Sequence, residues 1–336
     1  MTQLLAAALF VWVLIAGSAP GAAPASESWK QLPVVPDMSG PVARTFKRDL
    51  ERADQRSMRP RVFAKVGDSN TEMAPALYGL ACRRPRLDGR PGLAAVIDRY
   101  NQVKLPNPNA LPGCSPSTSF SRRSASVRSG TWSTWSLITD SDLPPDHPLW
   151  SPPTDCRMTE SPLECEIRTI RPRYTIIMTG TNDLLLNEFL KADSEKQLEY
   201  NTGQLIEEVR RLGSVPVVST LAPVLTGSLP PGDLEKANAG ITTAALRHRV
   251  PIINLWRALT AKGMINSGME PGGLHLRAMT GGAAVPPVPR PNTFVKSVDF
   301  RRAALRFGSN RRNLVWLQTL AALDRAAGSL PGDRSR

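Results

Sequence analysis

The sequence predicts an α/β fold, a three-layer α/β/α sandwich with a central parallel sheet. Short, continuous apolar runs alternate along the chain with segments of helical periodicity, and such a run is typical of a strand buried on both faces. Polar motifs follow two of the runs, and parallel sheets carry their binding and catalytic groups at the carboxyl ends of the strands. The chain has 336 residues and is therefore long enough to bury a substantial core.

Four strands are predicted in chain order, with helices between and after them. The strands are the apolar runs at 61–66, 174–178, 215–219 and 251–255. The helices are the segments at 72–81, 198–213, 233–249 and 313–328. The second of these helices ends at Gly213, a residue type that is common just after a helix end. The sequence shows no internal repeat.

The N-terminal segment has the pattern of a secretory signal peptide. Residues 1–25 form an uncharged apolar run followed by small residues, with an Ala-x-Ala cleavage pattern at 23–25. An uncleaved anchor is the alternative, although the run is short for a membrane span. We interpret 26–60 as a polar N-terminal extension that wraps the outside of the fold, and 61–330 as the main domain with a loop-rich insertion at 83–165. We therefore expect a secreted or extracytoplasmic protein without a transmembrane span in the mature chain.

Four cysteines lie in the exported part, and an even number in an oxidising compartment indicates disulfides. The sequence alone allows three pairings. We favour Cys156 with Cys165, which closes a short loop, and Cys82 with Cys114, which closes a stretch rich in Pro and Asn. The chain has neither a CxxC pair nor a Cys/His cluster, so the sequence does not support a zinc site.

The chain is strongly basic, with 42 Lys and Arg against 29 Asp and Glu and a formal net charge of +13. Such a charge attracts phosphates and can indicate a nucleic-acid partner. The arginines are scattered in small pairs, however, with no basic helix and no aromatic platform for RNA. We therefore expect an arginine-rich surface without a specific nucleic-acid site, which attracts acidic polymers or membrane surfaces only weakly.

Three polar elements carry residues that suit nucleophilic catalysis. The first strand ends in GDSNT at 67–71, the second ends in GTND at 180–183, and His275 lies late in the chain. Each has a purely structural explanation when taken alone. Asp68 and Ser69 are typical of a helix start, and Gly, Asn and Asp are common in turns. Their order along the chain makes the combination informative.

In this order the motifs resemble those of the SGNH/GDSL hydrolase family, over residues 61–320. The resemblance implies that Ser69 is the nucleophile, Asn182 an oxyanion-hole donor and His275 the catalytic base. Gly130 is our choice for the loop glycine that the family places in its second motif block. The resemblance also implies a flavodoxin-like arrangement of the sheet.

The residue types fit the implied chemistry. A serine hydroxyl is a poor nucleophile until a base removes its proton, and a neutral imidazole has a suitable basicity near neutral pH. Ser69 lies between a predicted strand and a predicted helix, where the positive helix end favours negative charge. The backbone N–H groups of Ser69 and Gly130 and the Asn182 amide could hold the oxyanion of a tetrahedral intermediate. Each such donor is worth ~3 kcal/mol in known enzymes.

The acid expected in the family's triad is absent from its usual place. The family pattern is D-x-x-H, but Gly272 stands three residues before His275. Glu270 could reach the imidazole from the same loop, or a backbone carbonyl could hold the ring N–H and leave a Ser–His dyad. We slightly favour the dyad. His147 and His248 are poor alternatives for the base, because one precedes the GTND motif and the other closes a predicted helix.

The sequence thus predicts an exported serine esterase of the SGNH/GDSL type that cleaves carboxylic esters through an acyl-Ser69 intermediate, with no metal or organic cofactor. The substrate is an ester of a small molecule or a polysaccharide, and acetyl esters of carbohydrates are our first choice. A non-catalytic carbohydrate-binding protein on the same fold is one alternative, because the acid is missing at Gly272. Acyl transfer to a glycan by the same residues is another. Nothing in the sequence indicates an oligomeric state.

Overall fold

The chain folds around a four-stranded parallel sheet. A computed structural model describes residues 28–73, 76–82, 85–106, 117–139, 155–190, 192–225, 227, 229–279 and 296–330. The strands lie in the order β1-β2-β3-β4, and each neighbouring pair is parallel. They are β1 (Arg59–Gly67), β2 (Pro172–Met178), β3 (Val215–Ser219) and β4 (Ile252–Ile253). The predicted α/β class with a central parallel sheet is confirmed.

Helices connect the strands and follow the last of them, as crossovers between parallel strands require. Before β2 lie α1 (Gly40–Gln55), α2 (Ser69–Glu72), α3 (Gly79–Cys82), α4 (Gly92–Asn101) and α5 (Pro162–Ile170). After β2 lie α6 (Thr181–Leu190), α7 (Ser194–Arg211), α8 (Asp233–His248), α9 (Leu255–Leu259) and the C-terminal helix (Gly308–Ala326). Short 3₁₀ helices occupy Ser28–Gln31, Ser133–Leu137, Ile265–Gly268 and Ala304–Arg306.

Helices cover both faces of the sheet and so produce the three predicted layers. Alternate residues of a strand point to opposite faces. In β1, the Phe63 ring packs edge-on against Tyr100 of α4, with the ring centroids 5.2 Å apart. Val62 and Ala64 of the same strand form a separate cluster with Ile170 of α5. Because both faces are covered, every residue of β2 and β3 is buried, which explains why these strands are continuous apolar runs in the sequence.

The segment before β1 contributes to the core. Helix α1 buries Phe46, whose ring stacks on that of Tyr174 in β2 with centroids 6.1 Å apart. Residues 26–60 were predicted to wrap the outside of the fold, and α1 in addition places side chains in the core. Apart from the buried Asp49, the charged residues of α1 lie outside the narrow buried stripe that contains Phe46 and Ala53, which is the pattern of an amphipathic helix.

The insertion at 83–165 contains regular structure as well as loops. Helix α4 lies inside it and buries Val96 and Tyr100. Helix α5 begins inside it, and a capping box between Ser161 and Glu164 fixes its first turn. The prediction of long loops missed both helices, because Pro, Ser and Arg dominate the sequence around them.

One of the two predicted disulfides lies among the described residues. Cys156 and Cys165 are bonded, with their Cα atoms 5.3 Å apart. For the predicted pair of Cys82 and Cys114, both Cys114 and the Cys82 side chain lie outside the described residues, as does the predicted signal peptide at 1–25. Among the helices within the described ranges, none has the length and apolar character to cross a membrane.

Lys65 of β1 is buried in the core, where an ammonium group is rarely found. Its Nζ donates a hydrogen bond to Phe120 O at 3.1 Å and lies 4.7 Å from the centroid of the Tyr78 ring. Burial lowers the pKa of Lys65 to about 7, although the Glu166 carboxylate opposes this change. At pH values between this lowered pKa and the ordinary pKa of lysine, the unfolded chain binds more protons at this position than the folded chain. Lys65 therefore makes the free energy of unfolding rise with pH through this window.

Lys65→Met is expected to remove this pH dependence. The free energy of unfolding of the wild type should rise with pH more steeply than that of the variant, by up to ~1.4 kcal/mol per pH unit between about pH 7 and 10. Urea unfolding at several pH values measures both slopes. Lys47→Met changes an exposed lysine of α1 and is the matched control. Equal slopes for the wild type and Lys65→Met would contradict a buried, neutral amine.

Candidate active site

The first polar motif forms a tight turn at the carboxyl end of β1. The strand ends at Gly67, and α2 begins at Ser69. The carboxylate of Asp68 caps this helix by accepting from the Asn70 N–H at 3.0 Å. A Cβ on Gly67 would lie 2.3 Å from Thr71 Oγ1, so this packing requires glycine. The turn holds Ser69 in a recess at the rim of the sheet, where the residue is 7% exposed.

Ser69, His275 and Glu270 form one chain of hydrogen-bonding groups. The Ser69 Oγ lies 3.1 Å from His275 Nε2, and His275 Nδ1 lies 2.8 Å from Glu270 Oε1. When Nδ1 carries the proton and donates to the carboxylate, Nε2 is free to accept the serine proton. The side chains of His275 and Glu270 are 14% and 9% exposed, so most water is excluded from this pair.

A hairpin brings Glu270 to the imidazole. Met269 and Leu276 form an antiparallel bridge. Between them, the Glu270 N–H donates to His275 O at 2.9 Å, and the Gly273 N–H donates to Glu270 O at 2.8 Å. Residues 270 and 275 therefore lie opposite each other, as cross-strand neighbours do. In the structure Nδ1 thus faces the carboxylate of Glu270 and not the backbone carbonyl that we slightly favoured.

Asn182 lies at the same rim of the sheet as Ser69. Gly67 of β1 is the register partner of Met178 in β2, so the residues that follow the two strands emerge side by side. Asn182 lies in the first turn of α6 and donates from Nδ2 to Thr131 O at 2.8 Å. A side-chain amide has two N–H groups, so this bond orients the amide and leaves the second N–H for a ligand.

Gly130 lies in a loop attached to the free edge of β1. Val127 of this loop forms a parallel bridge with Gly67. The next anchor is Ser129, whose N–H donates to Glu72 Oε2 of α2 at 2.6 Å. Gly130 has a φ of +79°, in the left-handed region that favours glycine. The structure therefore brings the loop that carries Gly130 beside the turn that carries Ser69.

Sequence reasoning missed Asn70, which connects the Ser69 turn to the His275 hairpin. Its Oδ1 accepts from the Leu276 N–H at 3.0 Å, and its Nδ2 donates to Leu274 O at 3.2 Å. The two bonds bracket His275 and fix the backbone on both sides of the imidazole. The only signal in the sequence is the place of Asn70 directly after Ser69, and helix capping explains that equally well.

Asp183 of the GTND motif anchors the loop that follows Gly130. Its carboxylate accepts from the Ser133 N–H at 2.7 Å and from Ser133 Oγ at 2.6 Å. Burial raises the pKa of Asp183, and the hydrogen bonds from Ser133 oppose that rise. Burial also raises the pKa of the capping residue Asp68, where donors of Thr181 oppose it. Both aspartates are therefore held by neighbouring donors.

A buried arginine supports the turn that carries Ser69. The Arg312 side chain, from the C-terminal helix, donates from Nη1 to Asn70 O at 2.7 Å and from Nε to Asn313 Oδ1 at 3.0 Å. Burial lowers the pKa of Arg312 to about 9. At neutral pH its positive charge favours negative charge in the turn that carries Ser69. No motif or spacing in the sequence indicates a role for this residue.

The assembled groups are a hydroxyl, an imidazole, a carboxylate and an oriented amide, and together they suit proton transfer from an attacking serine. In the residues that the structure describes, no group of three or more His, Cys, Asp or Glu side chains is arranged to hold a metal ion.

Residues 154–279 match the GDSL-like Lipase/Acylhydrolase family, a range that includes Asn182, Glu270 and His275 and begins after Ser69. The resemblance predicted from the motifs is confirmed. No curated protein matches the chain significantly. Several solved structures do, including a lipase/acylhydrolase from Enterococcus faecalis, with 14% identity, coverage of 78% of this chain and 95% of that chain, and a TM-score of 0.42.

Proposed function

We propose that this chain, whose residues 154–279 match the GDSL-like Lipase/Acylhydrolase family, is a serine esterase that cleaves carboxylic esters through an acyl-Ser69 intermediate. The observation that carries the proposal is the sequence of contacts from Glu270 through His275 to Ser69, with distances of 2.8 and 3.1 Å. The family match supports acyl hydrolysis in general. The assignment of roles to single residues is our inference from the geometry.

Acylation begins with attack of the Ser69 Oγ on the ester carbonyl carbon, while His275 Nε2 accepts the serine proton. Glu270 stabilises the imidazolium that forms and keeps its ring oriented. The carbonyl oxygen becomes an oxyanion, for which the Ser69 N–H, the Gly130 N–H and the free N–H of the Asn182 amide are the proposed donors. The tetrahedral intermediate then collapses. The imidazolium returns its proton to the alcohol oxygen, which leaves.

Deacylation repeats the same steps with water as the nucleophile. His275 Nε2 accepts a proton from water, and the hydroxide oxygen bonds to the acyl carbon of Ser69. Collapse of the second tetrahedral intermediate breaks the bond to the Ser69 Oγ, which recovers its proton from the imidazolium. The products are the carboxylic acid and free enzyme.

We propose further that the esterase is exported and that acetyl esters of carbohydrates are among its substrates. The bond between Cys156 and Cys165 supports an oxidising compartment. The polar segment Ser129–Ser133, which contacts α2 and α6 beside Ser69, supports a polar alcohol part. These finer assignments rest on the serine-esterase proposal and are tested with it.

Esters of a longer apolar acid are a second candidate, favoured by exposed leucines near the site. Leu185 and Leu186 are exposed, and they lie three and four residues after Asn182 on α6, so all three residues share one face of the helix. Leu225 is also exposed, and its N–H donates to Gly273 O in the hairpin that carries His275. Apolar surface in these two places could bind an acyl chain.

Assays of the purified chain with p-nitrophenyl acetate, p-nitrophenyl octanoate and an acetylated oligosaccharide test the proposal. We expect saturable hydrolysis of at least one ester. A higher kcat/KM for octanoate than for acetate would favour the apolar acyl group over the acetyl group. Binding of the acetylated sugar without hydrolysis of any of the three esters would contradict the esterase and favour the binding protein. Transfer of acetate to an added glycan would identify an acyltransferase.

A further inference from the structure

An arginine-rich cavity lies at the end of the sheet opposite to Ser69. Helices α1, α7 and α8 each end shortly before a strand begins, so their C-termini meet at the amino edge of the sheet, whereas the candidate active site occupies the carboxyl edge. The cavity between these helix ends has a volume of about 320 Å³. We call it the arginine cavity. Its lining residues are Thr45, Arg48, Asp49, Arg52, Arg210, Arg247, His248 and Arg249.

The arginine cavity contains more positive than negative charge. Five of its lining residues are arginines, and Asp49 is its one carboxylate. Asp49 is shared, because its Oδ1 accepts from Arg52 Nη1 at 3.0 Å and its Oδ2 accepts from Arg210 Nε at 2.9 Å. Arg247 pairs with Glu199 outside the cavity. One shared carboxylate cannot neutralise the guanidinium groups around it, so the cavity is an electropositive concave surface.

Two of the arginines have no carboxylate partner among the described residues. The Arg48 side chain donates only to the hydroxyl of Thr45, from Nη2 at 3.2 Å. Arg249 follows the last residue of α8, and no ion pair involves it in the described part of the chain. Both residues are exposed, so their donors can reach a ligand in the cavity. A guanidinium group presents paired N–H donors that fit the oxygens of phosphate or sulfate.

The C-termini of α1, α7 and α8 disfavour an anion in the arginine cavity, and the arginines counteract this effect. The C-terminus of a helix carries partial negative charge. Arg210 covers part of it, because its Nη2 donates to His248 O, the last carbonyl of α8, at 3.0 Å. Burial first, and then the positive charge of Arg210, lowers the pKa of His248, while Glu207 raises it. Among the charges around the imidazole, Arg210 has the larger effect on this pKa and Glu207 the smaller, opposite effect.

We propose that the arginine cavity is a binding site for a multiply charged oxyanion, a phosphate or sulfate group of a small ligand, with Arg48 and Arg249 as its main contacts. The volume is at the lower end of the range for small-molecule sites, and it accommodates a diphosphate or the phosphate end of a larger molecule. The site is separate from the candidate active site. Its occupancy does not depend on the esterase chemistry.

Isothermal titration of the full chain with inorganic pyrophosphate and with inorganic sulfate, at constant ionic strength, tests the proposal. The double variant Arg48→Gln/Arg249→Gln should bind the preferred anion at least about tenfold more weakly than the wild type, since it loses charge-assisted hydrogen bonds. Arg302→Gln/Arg325→Gln makes the same change of charge at exposed positions outside the cavity. We expect it to bind like the wild type. The wild type should bind pyrophosphate more tightly than sulfate if the ligand is a phosphate.

Three results would overturn the proposal. The first is that the wild type binds neither anion at concentrations up to about 10 mM. The second is that the cavity variant binds as tightly as the wild type. The third is that the control variant loses as much affinity as the cavity variant, because the binding would then depend only on the net charge of the protein. Ser69→Ala is expected to bind pyrophosphate normally, and the cavity variant is expected to keep its ester hydrolysis. Failure of the anion site and failure of the esterase can therefore be told apart.

Discussion

Ser69→Ala is expected to lower kcat for ester hydrolysis by a factor of about 10⁴ to 10⁶ and to leave the fold intact. The variant keeps the imidazole and the carboxylate but has no oxygen at the position 3.1 Å from His275 Nε2. Without that oxygen no acyl-enzyme can form. Any remaining activity would come from direct attack of water on the ester, with the oxyanion donors stabilising the tetrahedral intermediate. Initial rates with a p-nitrophenyl ester measure the loss, and circular dichroism verifies the fold.

Ser39→Ala is the matched control for this experiment. Ser39 is exposed at the start of α1, and its side chain makes no capping hydrogen bond. Its removal should change kcat by less than about twofold. If Ser69→Ala retained the activity of Ser39→Ala, the nucleophile would have to be another residue or a water molecule, and the proposed mechanism would be wrong.

Glu270→Gln is expected to lower kcat by a factor of about 10² to 10⁴, with a much smaller effect on KM. The amide replaces the carboxylate that lies 2.8 Å from His275 Nδ1. It can no longer stabilise the imidazolium, and it can present an N–H to Nδ1 and favour the wrong tautomer. Glu270→Asp keeps the charge on a shorter side chain and should recover part of the rate.

The kcat and KM values of Glu270→Gln also decide between a triad and a dyad. Glu51→Gln, at an exposed position of α1, is the control for loss of a carboxylate elsewhere. If Glu270→Gln and Glu51→Gln had the same kcat, the carboxylate would have no part in the reaction. The enzyme would then depend on Ser69 and His275 alone.

The sheet could be predicted from the sequence because its strands are buried on both faces. Val215–Ser219 matches the predicted strand in full, and each of its residues is buried. The last strand is shorter than predicted, with only Ile252–Ile253 paired, since an edge strand needs few ladder bonds. Helix α1 escaped prediction because apolar residues are a minority on its surface, although Phe46 packs in the core.

The candidate site could be predicted only where its residues stand in local motifs. Ser69, Asn182 and His275 lie in or near such motifs, and the first two follow neighbouring strands. The contact between Glu270 and His275 depends on the hairpin closed by Met269 and Leu276. The Pro-Gly-Gly sequence in this hairpin does not predict which residues pair across it.

The supporting contacts of the site depend on pairs that are distant in the chain. Asn70 binds the backbone at Leu274 and Leu276, and Val127 joins the edge of β1 at Gly67. No periodicity or spacing in one sequence encodes such contacts. They follow from the way the loops pack on the finished sheet.

Covalent labelling by a fluorophosphonate tests the central claim most directly, because this probe reacts with a serine only when a base and oxyanion donors activate it. Mass spectrometry of the labelled and digested wild type should find one phosphonyl group per chain on the peptide that contains Ser69. His275→Ala should react far more slowly. An active esterase that carries the label on another residue, or carries none, would contradict the assignment of Ser69 as the nucleophile.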